Sequence, residues 1–183
     1  MIPMNEAVRI VTDSVTALET TTVPLMDALG HTLADPVVSD INMPPFEKAT
    51  MDGYAVVGAD VAFATKSDPV ALEVVEEIRA GSVPTKTVQS GSASRIMTGA
   101  PMPEGADTVV MVEDTETENG QVRILEPTAT GQNWVPLGED VRTGDTVLTA
   151  PRRIRSPEIG IMAAVGVTEV PVYRRPVVGV VAT

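Results

Sequence analysis

Three stretches of the sequence carry residues whose types and spacing are compatible with chemistry on a small substrate. The first is Met51-Asp52-Gly53-Tyr54-Ala55-Val56. Pro44 and Pro45 precede it and favour extended backbone, and the residues that follow Gly53 favour a strand. Glycine readily takes positive φ, so we expect a turn here that displays the Asp52 carboxylate. An Asp-Gly pair is also a common turn former, and the dipeptide alone fits either interpretation.

The second stretch runs from Arg95 to Asp107 and contains Thr98-Gly99, followed by Pro101. Backbone amides and a hydroxyl at a glycine bend can form a nest for an anionic oxygen, and the prolines would hold the loop rigid. The alternative is a proline-stiffened hairpin without a ligand.

The third stretch is Gly138-Glu139-Asp140. Adjacent acids suit magnesium, which prefers carboxylate and water oxygens, but most such pairs are solvated turns.

Composition excludes several functional classes. The chain has 183 residues and a net charge of -12, which argues against nucleic acid or an anionic membrane as a partner. It has no cysteine and one histidine, His31, so thiolate sites, catalytic triads and histidine-rich metal sites are not expected. No apolar segment approaches about 18 residues and no basic leader is present, so we expect a soluble, cytoplasmic protein.

Hydrophobic periodicity predicts an α+β fold that is mostly β. Apolar residues at helical spacing predict an amphipathic packing helix over residues 4–18, and residues 20–25 are typical of a short strand or an extended connector. A second helix is expected from Ser156 to Val165, with Ser156 as N-cap and Gly166 as the stop. Between them, β-type runs are predicted at 54–57, 70–75, 78–80, 87–90, 94–97, 108–112, 122–125 and 146–148. Residues 74–78 would also fit one helical turn.

Taken together and in order, the three stretches resemble the N-terminal half of the molybdopterin molybdenumtransferase (MoeA/gephyrin E) family. The resemblance covers essentially the whole chain and continues from Ser156 through the Val177–Thr183 end. One departure is visible: the family commonly has Ser-Ala before Met-Asp-Gly-Tyr, and this chain has Ala49-Thr50. A serine hydroxyl role at that point is therefore not expected.

The resemblance implies an enzyme of molybdenum cofactor synthesis. Such enzymes insert molybdate into adenylylated molybdopterin and release AMP, with Mg²⁺ as the assisting cation. It implies that Asp52, Thr98 and Asp140 are catalytic, with Asp52 and Asp140 as magnesium ligands, and that Gly53, Tyr54, Gly99 and Pro101 bind the cofactor. It also implies a homodimer, with the molybdopterin adenylyltransferase as a further partner. Molybdenum and tungsten are not distinguished by the sequence.

The family architecture implies a discontinuous α/β domain I with an inserted β-rich domain II. The expected segments are an N-terminal helix in 1–22, domain I in 23–45 and 138–175, and domain II in 46–137. Residues 176–183 would be the first strand of a missing molybdopterin-binding domain, which makes the chain a truncated fragment, inactive alone. Two alternatives are a scaffold or dimerisation module of the gephyrin type and an unrelated magnesium-dependent phosphohydrolase. The latter requires Asp52 and Asp140 to converge.

Overall fold

The structure, a computed structural model, describes residues 2–182. Its helices are α1 (Met4–Asp13), α2 (Gly58–Val61) and α3 (Ser156–Ala164). Its strands are β1 (Thr20–Pro24), β2 (Thr32–Leu33), β3 (Val37–Val38), β4 (Lys48–Ala49), β5 (Gly53–Val56), β6 (Val70–Ile78), β7 (Ser92–Ile96), β8 (Thr108–Met111), β9 (Thr115–Glu118), β10 (Gln121–Ile124), β11 (Trp134–Val135), β12 (Thr146–Leu148), β13 (Arg152–Arg153) and β14 (Glu169–Tyr173). This composition confirms the predicted α+β, mostly β class. None of the helices in the described part of the chain has the length and apolar character needed to cross a bilayer.

The chain divides into two units, which we describe separately. The discontinuous unit combines residues 2–41 with 143–182, and the inserted unit is Asn42–Arg142. The predicted insertion, 46–137, lies within the inserted unit. The unit extends further at both ends because Met43 and Val141 form a β-bridge, so Asp140 belongs to it.

The discontinuous unit contains a four-stranded sheet in the order β1-β14-β2-β13 and a two-stranded pair, β3 with β12. Its core is aliphatic, with Leu33, Leu148, Ile154, Met162, Val170 and Val172 buried. Ile154, just before α3, and Met162, near its end, are both buried in this core, so the helix packs against it along most of its length. A short 3-10 helix spans Leu25–Asp27.

Glu158 anchors the beginning of α3, and the predicted N-cap at Ser156 is wrong by one residue. The N-cap is Arg155, whose backbone N–H donates to Glu158 Oε2 at 3.0 Å. Its guanidinium donates to Glu158 Oε1 at 2.9 Å, and that of Arg152 donates to the same oxygen at 3.2 Å. The Arg155 side-chain bond, helped by backbone N–H donors and the positive charge of Arg155, lowers the pKa of Glu158 to about 2.

The inserted unit is built on a six-stranded sheet in the order β8-β5-β7-β6-β10-β9. Neighbouring strands are antiparallel except β6 and β7, which are parallel. Buried apolar residues line one face, among them Tyr54, Val56, Leu72, Val110 and Val122. A second cluster, including Ala55, Ile78, Ile96 and Val109, packs on the other face against β4 and β11. The sheet is therefore buried on both faces where β5 and β7 pass.

Several predicted elements differ from the structure. The helix predicted over 4–18 ends at Asp13, because the Ser14 hydroxyl and N–H both bond back to Val11 O, and none of its described residues is buried. The predicted runs 70–75 and 78–80 are one strand, β6, which confirms strand over helix at 74–78. The run 87–90 is not a strand, since Val88 N–H bonds to Glu104 O in a loop.

The strand predicted at 176–183 is also absent from the described residues of that range, 176–182, and Thr183 lies outside them. A strand exists only where its backbone groups pair with a neighbour. No strand of the described chain pairs with this segment, and its valines are exposed.

Candidate functional site

Asp52 lies just before β5, an inner strand of the six-stranded sheet, and is hydrogen-bonded to Thr98. The Thr98 backbone N–H and hydroxyl both donate to Asp52 Oδ1, each at 2.7 Å. The pairing of β5 with β7 explains the contact: Gly53 lies opposite Ile96, so the residues just outside the two strands meet. On its other side, Asp52 O accepts the N–H of Val112 at 3.0 Å. The structure therefore brings together two of the three predicted catalytic residues.

These bonds favour the ionised form of the Asp52 carboxyl. The hydroxyl of Thr98 and then its backbone N–H lower the pKa of Asp52, and the positive charge of Arg95 lowers it further. Both Thr98 bonds reach Oδ1. Within the described residues, Oδ2 accepts no hydrogen bond and the residue is exposed. One oxygen is thus fixed by the protein, and the other is available to a cation, a water molecule or a substrate.

Gly53 is required by close packing, and the expected positive φ is wrong. Its backbone is extended within β5, and Gly53 is not among the residues with positive φ. A Cβ at this position would lie 1.9 Å from Val110 O on the neighbouring strand β8. The next residue, Tyr54, is buried, and its hydroxyl hydrogen-bonds to Thr117 Oγ1 at 2.9 Å.

The loop after β7 is rigid, but its amides are already used. Gly99 has φ of +81° and its N–H donates to Ala49 O at 2.9 Å. Pro101 forms a β-bridge with Lys48, which fixes the loop against β4. The expectation that Thr98 and the Gly99 amide form a nest for an external anion does not match this arrangement, since Thr98 holds Asp52 and Gly99 holds the backbone.

Asp140 lies on a separate loop of the inserted unit. Its N–H donates to Met43 O at 2.9 Å, and Gly138 N–H donates to Pro44 O at 2.9 Å. The Asp140 side chain is exposed. In the described part of the chain, no hydrogen bond or ion pair joins it to Asp52, and no group of three or more acidic or histidine residues is placed to hold a metal. The structure thus does not show the shared magnesium site predicted for Asp52 and Asp140.

Asp52 can supply one carboxylate oxygen to a magnesium ion, which is part of the shell that this ion needs. Magnesium commonly takes one or two carboxylate oxygens, keeps several waters and accepts substrate phosphate oxygens for the rest of its shell. Asp52 Oδ2 provides one such oxygen in an exposed position. Sequence reasoning gave no role to Arg95, although it lies in the second stretch. The structure shows that Arg95 lies near the site, because it is opposite Tyr54 in the β5–β7 register.

Comparison with known proteins places these motifs in a family. Residues 2–166 match the family model described as the MoeA N-terminal region, domain I and II. All of the chain aligns with 43% of the molybdopterin molybdenumtransferase of Bacillus subtilis (strain 168) at 41% identity. Molybdopterin molybdenumtransferase 2 of Mycobacterium tuberculosis (strain H37Rv) is 39% identical over 98% of this chain and 44% of that protein.

A solved structure agrees with the sequence relatives. The crystal structure of the molybdopterin biosynthesis moeA protein from Pyrococcus horikoshii OT3 superposes with a TM-score of 0.89 and 36% identity. The superposition covers 94% of this chain and 46% of that one. The chain thus spans less than half the length of these relatives. Its matched region and its fold together show that it belongs to the MoeA family and corresponds to that family's N-terminal region.

Proposed function

We propose that this chain acts in molybdenum cofactor synthesis as part of a molybdopterin molybdenumtransferase. The reaction is insertion of molybdate into adenylylated molybdopterin with release of AMP. The observation that carries the proposal is the Asp52 carboxylate, ionised and held through one oxygen by the two donors of Thr98. The names of the relatives support the reaction class.

In this proposal Asp52 orients either the group that attacks the phosphoanhydride or the cation that neutralises its charge. Thr98 fixes the carboxylate in advance, so little reorganisation is needed when the substrate binds. Asp52 Oδ2 would hold a magnesium ion, which would neutralise charge on the phosphoanhydride when bound. Thr98 is then a positioning residue, because both of its donors are committed to Asp52.

Asp140 would contribute to the same reaction from its own loop, as an exposed carboxylate. The phosphohydrolase alternative is less well supported, since it needs Asp52 and Asp140 to act together and no contact joins them within the described residues. The prediction that the adenylyltransferase delivers the substrate belongs to this proposal.

The test is molybdate-dependent AMP release from adenylylated molybdopterin. The assay would use this chain completed by the remaining C-terminal part of the Bacillus subtilis relative, with magnesium present. Asp52→Asn is expected to lower the rate about 100-fold or more, the usual effect of losing a preorganised charged group. Asp68→Asn, at an exposed position of the same unit, is the matched control and should leave the rate unchanged. A similar rate for Asp52→Asn and Asp68→Asn would contradict the proposal.

We further propose that the chain forms a homodimer, with α1 at the interface. Met4, Val8 and Val11 recur on one face of α1 and are 81%, 51% and 61% exposed. Such a stripe normally packs against another surface. In sedimentation velocity, the double variant Val8→Glu, Val11→Glu should be monomeric, whereas Asp13→Ala should behave like the parent chain. A parent chain that stays monomeric at all concentrations would overturn this proposal.

A further inference from the structure

The six-stranded sheet of the inserted unit curls into a partly open barrel. Its two edge strands, β8 and β9, are consecutive in the chain and joined by the 3-10 helix Val112–Asp114. The bond from Tyr54 on β5 to Thr117 on β9 joins two strands that the sheet order separates by three others. Both observations require the sheet to bend back on itself, with the buried face that contains Tyr54 on the inside.

A cleft opens at one end of this barrel. It has a volume of about 340 Å³ and is lined mainly by Tyr54, Val74, Glu76, Glu77, Arg95 and Thr117. The register between β6 and β7 shifts between Val74 and Glu76, a bulge on the rim of the cleft. Bulges are common at barrel rims and next to binding sites, and the mouths of barrels are frequent ligand sites.

Arg95 is the positively charged residue among those that line this cleft. It lies directly opposite Tyr54 in the β5–β7 register, so both side chains are on the same face of the sheet. Its side chain is exposed, and within the described residues it has no hydrogen bond or ion pair. It is close enough to Asp52 to influence that carboxylate electrostatically. Tyr54 and Arg95 lie next to the ends of β5 and β7 at which Asp52 and Thr98 meet, so the cleft and the Asp52–Thr98 pair are neighbouring parts of one end of the barrel.

The two acids that line the cleft are occupied by other groups. The Glu76 carboxylate accepts the Thr85 N–H and hydroxyl and the Lys86 N–H. Glu77 forms an ion pair with Arg79 at 2.9 Å. In a chain with a net charge of -12, a guanidinium that faces a cleft and forms no hydrogen bond or ion pair within the described residues is available for an external anion. Its planar fork suits the oxygens of a phosphate group.

We propose that Arg95 makes this cleft a binding subsite for the phosphate or pyrophosphate group of a ligand. The subsite deepens the proposed function and rests on it only for the identity of the ligand, since it would place a phosphoanhydride next to Asp52. The binding itself depends on Arg95 and on the shape of the cleft, so it is measurable without molybdate, metal or pterin.

The experiment is titration of the 183-residue chain with inorganic pyrophosphate at low ionic strength, followed by ¹H–¹⁵N NMR. We expect saturable shifts of the Arg95 side-chain Nε–H and of the backbone amides of Val74–Glu77 and Thr117–Gly120. Arg95→Gln should weaken binding about tenfold or more, as expected for loss of a charge-assisted pair. Arg95→Lys, which keeps the charge and loses the fork, should bind with intermediate affinity.

Arg123→Gln is the matched control, because it removes the same charge from the outer face of the sheet. Arg123 follows the buried Val122 on β10 and pairs with Glu116 at 3.5 Å. It should bind pyrophosphate as the parent does. Equal weakening by Arg95→Gln and Arg123→Gln, unsaturable shifts, or unchanged binding by Arg95→Gln would each overturn the proposal. Asp52→Asn should bind pyrophosphate at least as tightly as the parent, so failure of the transferase assay and failure of the subsite are distinguishable.

Discussion

Replacing Gly53 with alanine should disrupt the pairing of β5 with β8 that positions Asp52. The added Cβ would lie 1.9 Å from Val110 O and 2.9 Å from the Val110 carbonyl carbon. Both atoms are backbone, so no side-chain rotation relieves the overlap. Strand β5 pairs with β8 through Gly53 opposite Met111 and Tyr54 opposite Val110. The collision therefore falls within the hydrogen-bonded ladder.

The cost follows from the movement that the collision demands. Restoring an ordinary carbon–oxygen contact would separate β5 and β8 locally by about 1.5 Å, which exceeds the tolerance of an N–H···O bond. Overpacking costs about 1–3 kcal/mol, and the loss of about two ladder bonds adds about 1 kcal/mol each. We expect Gly53→Ala to lower the free energy of unfolding of the inserted unit by about 3–5 kcal/mol. That is a large share of the roughly 5–15 kcal/mol typical of a domain.

The measurement is urea denaturation followed by Trp134 fluorescence. The chain has one tryptophan, and it lies on β11 of the inserted unit, so the signal reports on that unit. Gly120→Ala is the control, because Gly120 has φ of +81° with nothing within 4 Å of an added Cβ. Gly120→Ala should lose only about 1–2 kcal/mol of stability, the cost of a left-handed backbone at a residue with a Cβ. A Gly53→Ala variant no less stable than Gly120→Ala would refute the packing argument.

Three further predictions follow from the hydrogen bonds. Thr98→Val removes the hydroxyl donor to Asp52 and should raise the pKa of that carboxyl toward its ordinary value of 3.8, measured by ¹³C NMR titration; an unchanged pKa would contradict the assigned cause. The pKa of Glu158 is lowered from 4.5 to about 2, so its contribution to stability is complete above about pH 4.5 and is lost as the pH falls toward 2; Glu158→Gln should flatten that pH dependence of unfolding. Tyr54→Phe removes the bond to Thr117 and should cost about 0.5–1.5 kcal/mol in urea denaturation, whereas no change would show that the bond contributes nothing.

Local sequence patterns predicted the strands around the site because those strands consist of apolar and β-branched residues. The apolar, β-branched runs at Tyr54–Val57 and Thr108–Val112 are close to the observed β5 and β8. The stop at Gly166 was also readable, since this glycine has φ of +80° after α3. In contrast, β9 consists of Thr115–Glu118, with alternating threonine and glutamate and little apolar character. It exists because it pairs with β10, a contact that sequence periodicity does not contain.

The reasons behind the site residues were less predictable than their positions. Gly53 was interpreted as a turn glycine, but glycine is required there because β8, more than fifty residues later in the chain, packs against its Cα. Gly99 and Thr98 looked like donors for an external anion, but their donors bond to Ala49 and Asp52. Such assignments depend on which partner satisfies each donor, and that is fixed by tertiary pairing rather than by local sequence.

The arrangement at the barrel end favours a rigid site that meets its ligand without rearrangement. Asp52 is fixed by Thr98 on one side and by Val112 on the other, and the Thr98 loop is fixed in turn by Ala49. Because these groups are already ordered, binding a ligand would cost little additional conformational entropy. Arg95 differs, because its long side chain is exposed and forms no hydrogen bond or ion pair among the described residues. A fixed carboxylate beside an adaptable cation would hold the reacting group in one place while accepting phosphate groups in more than one position.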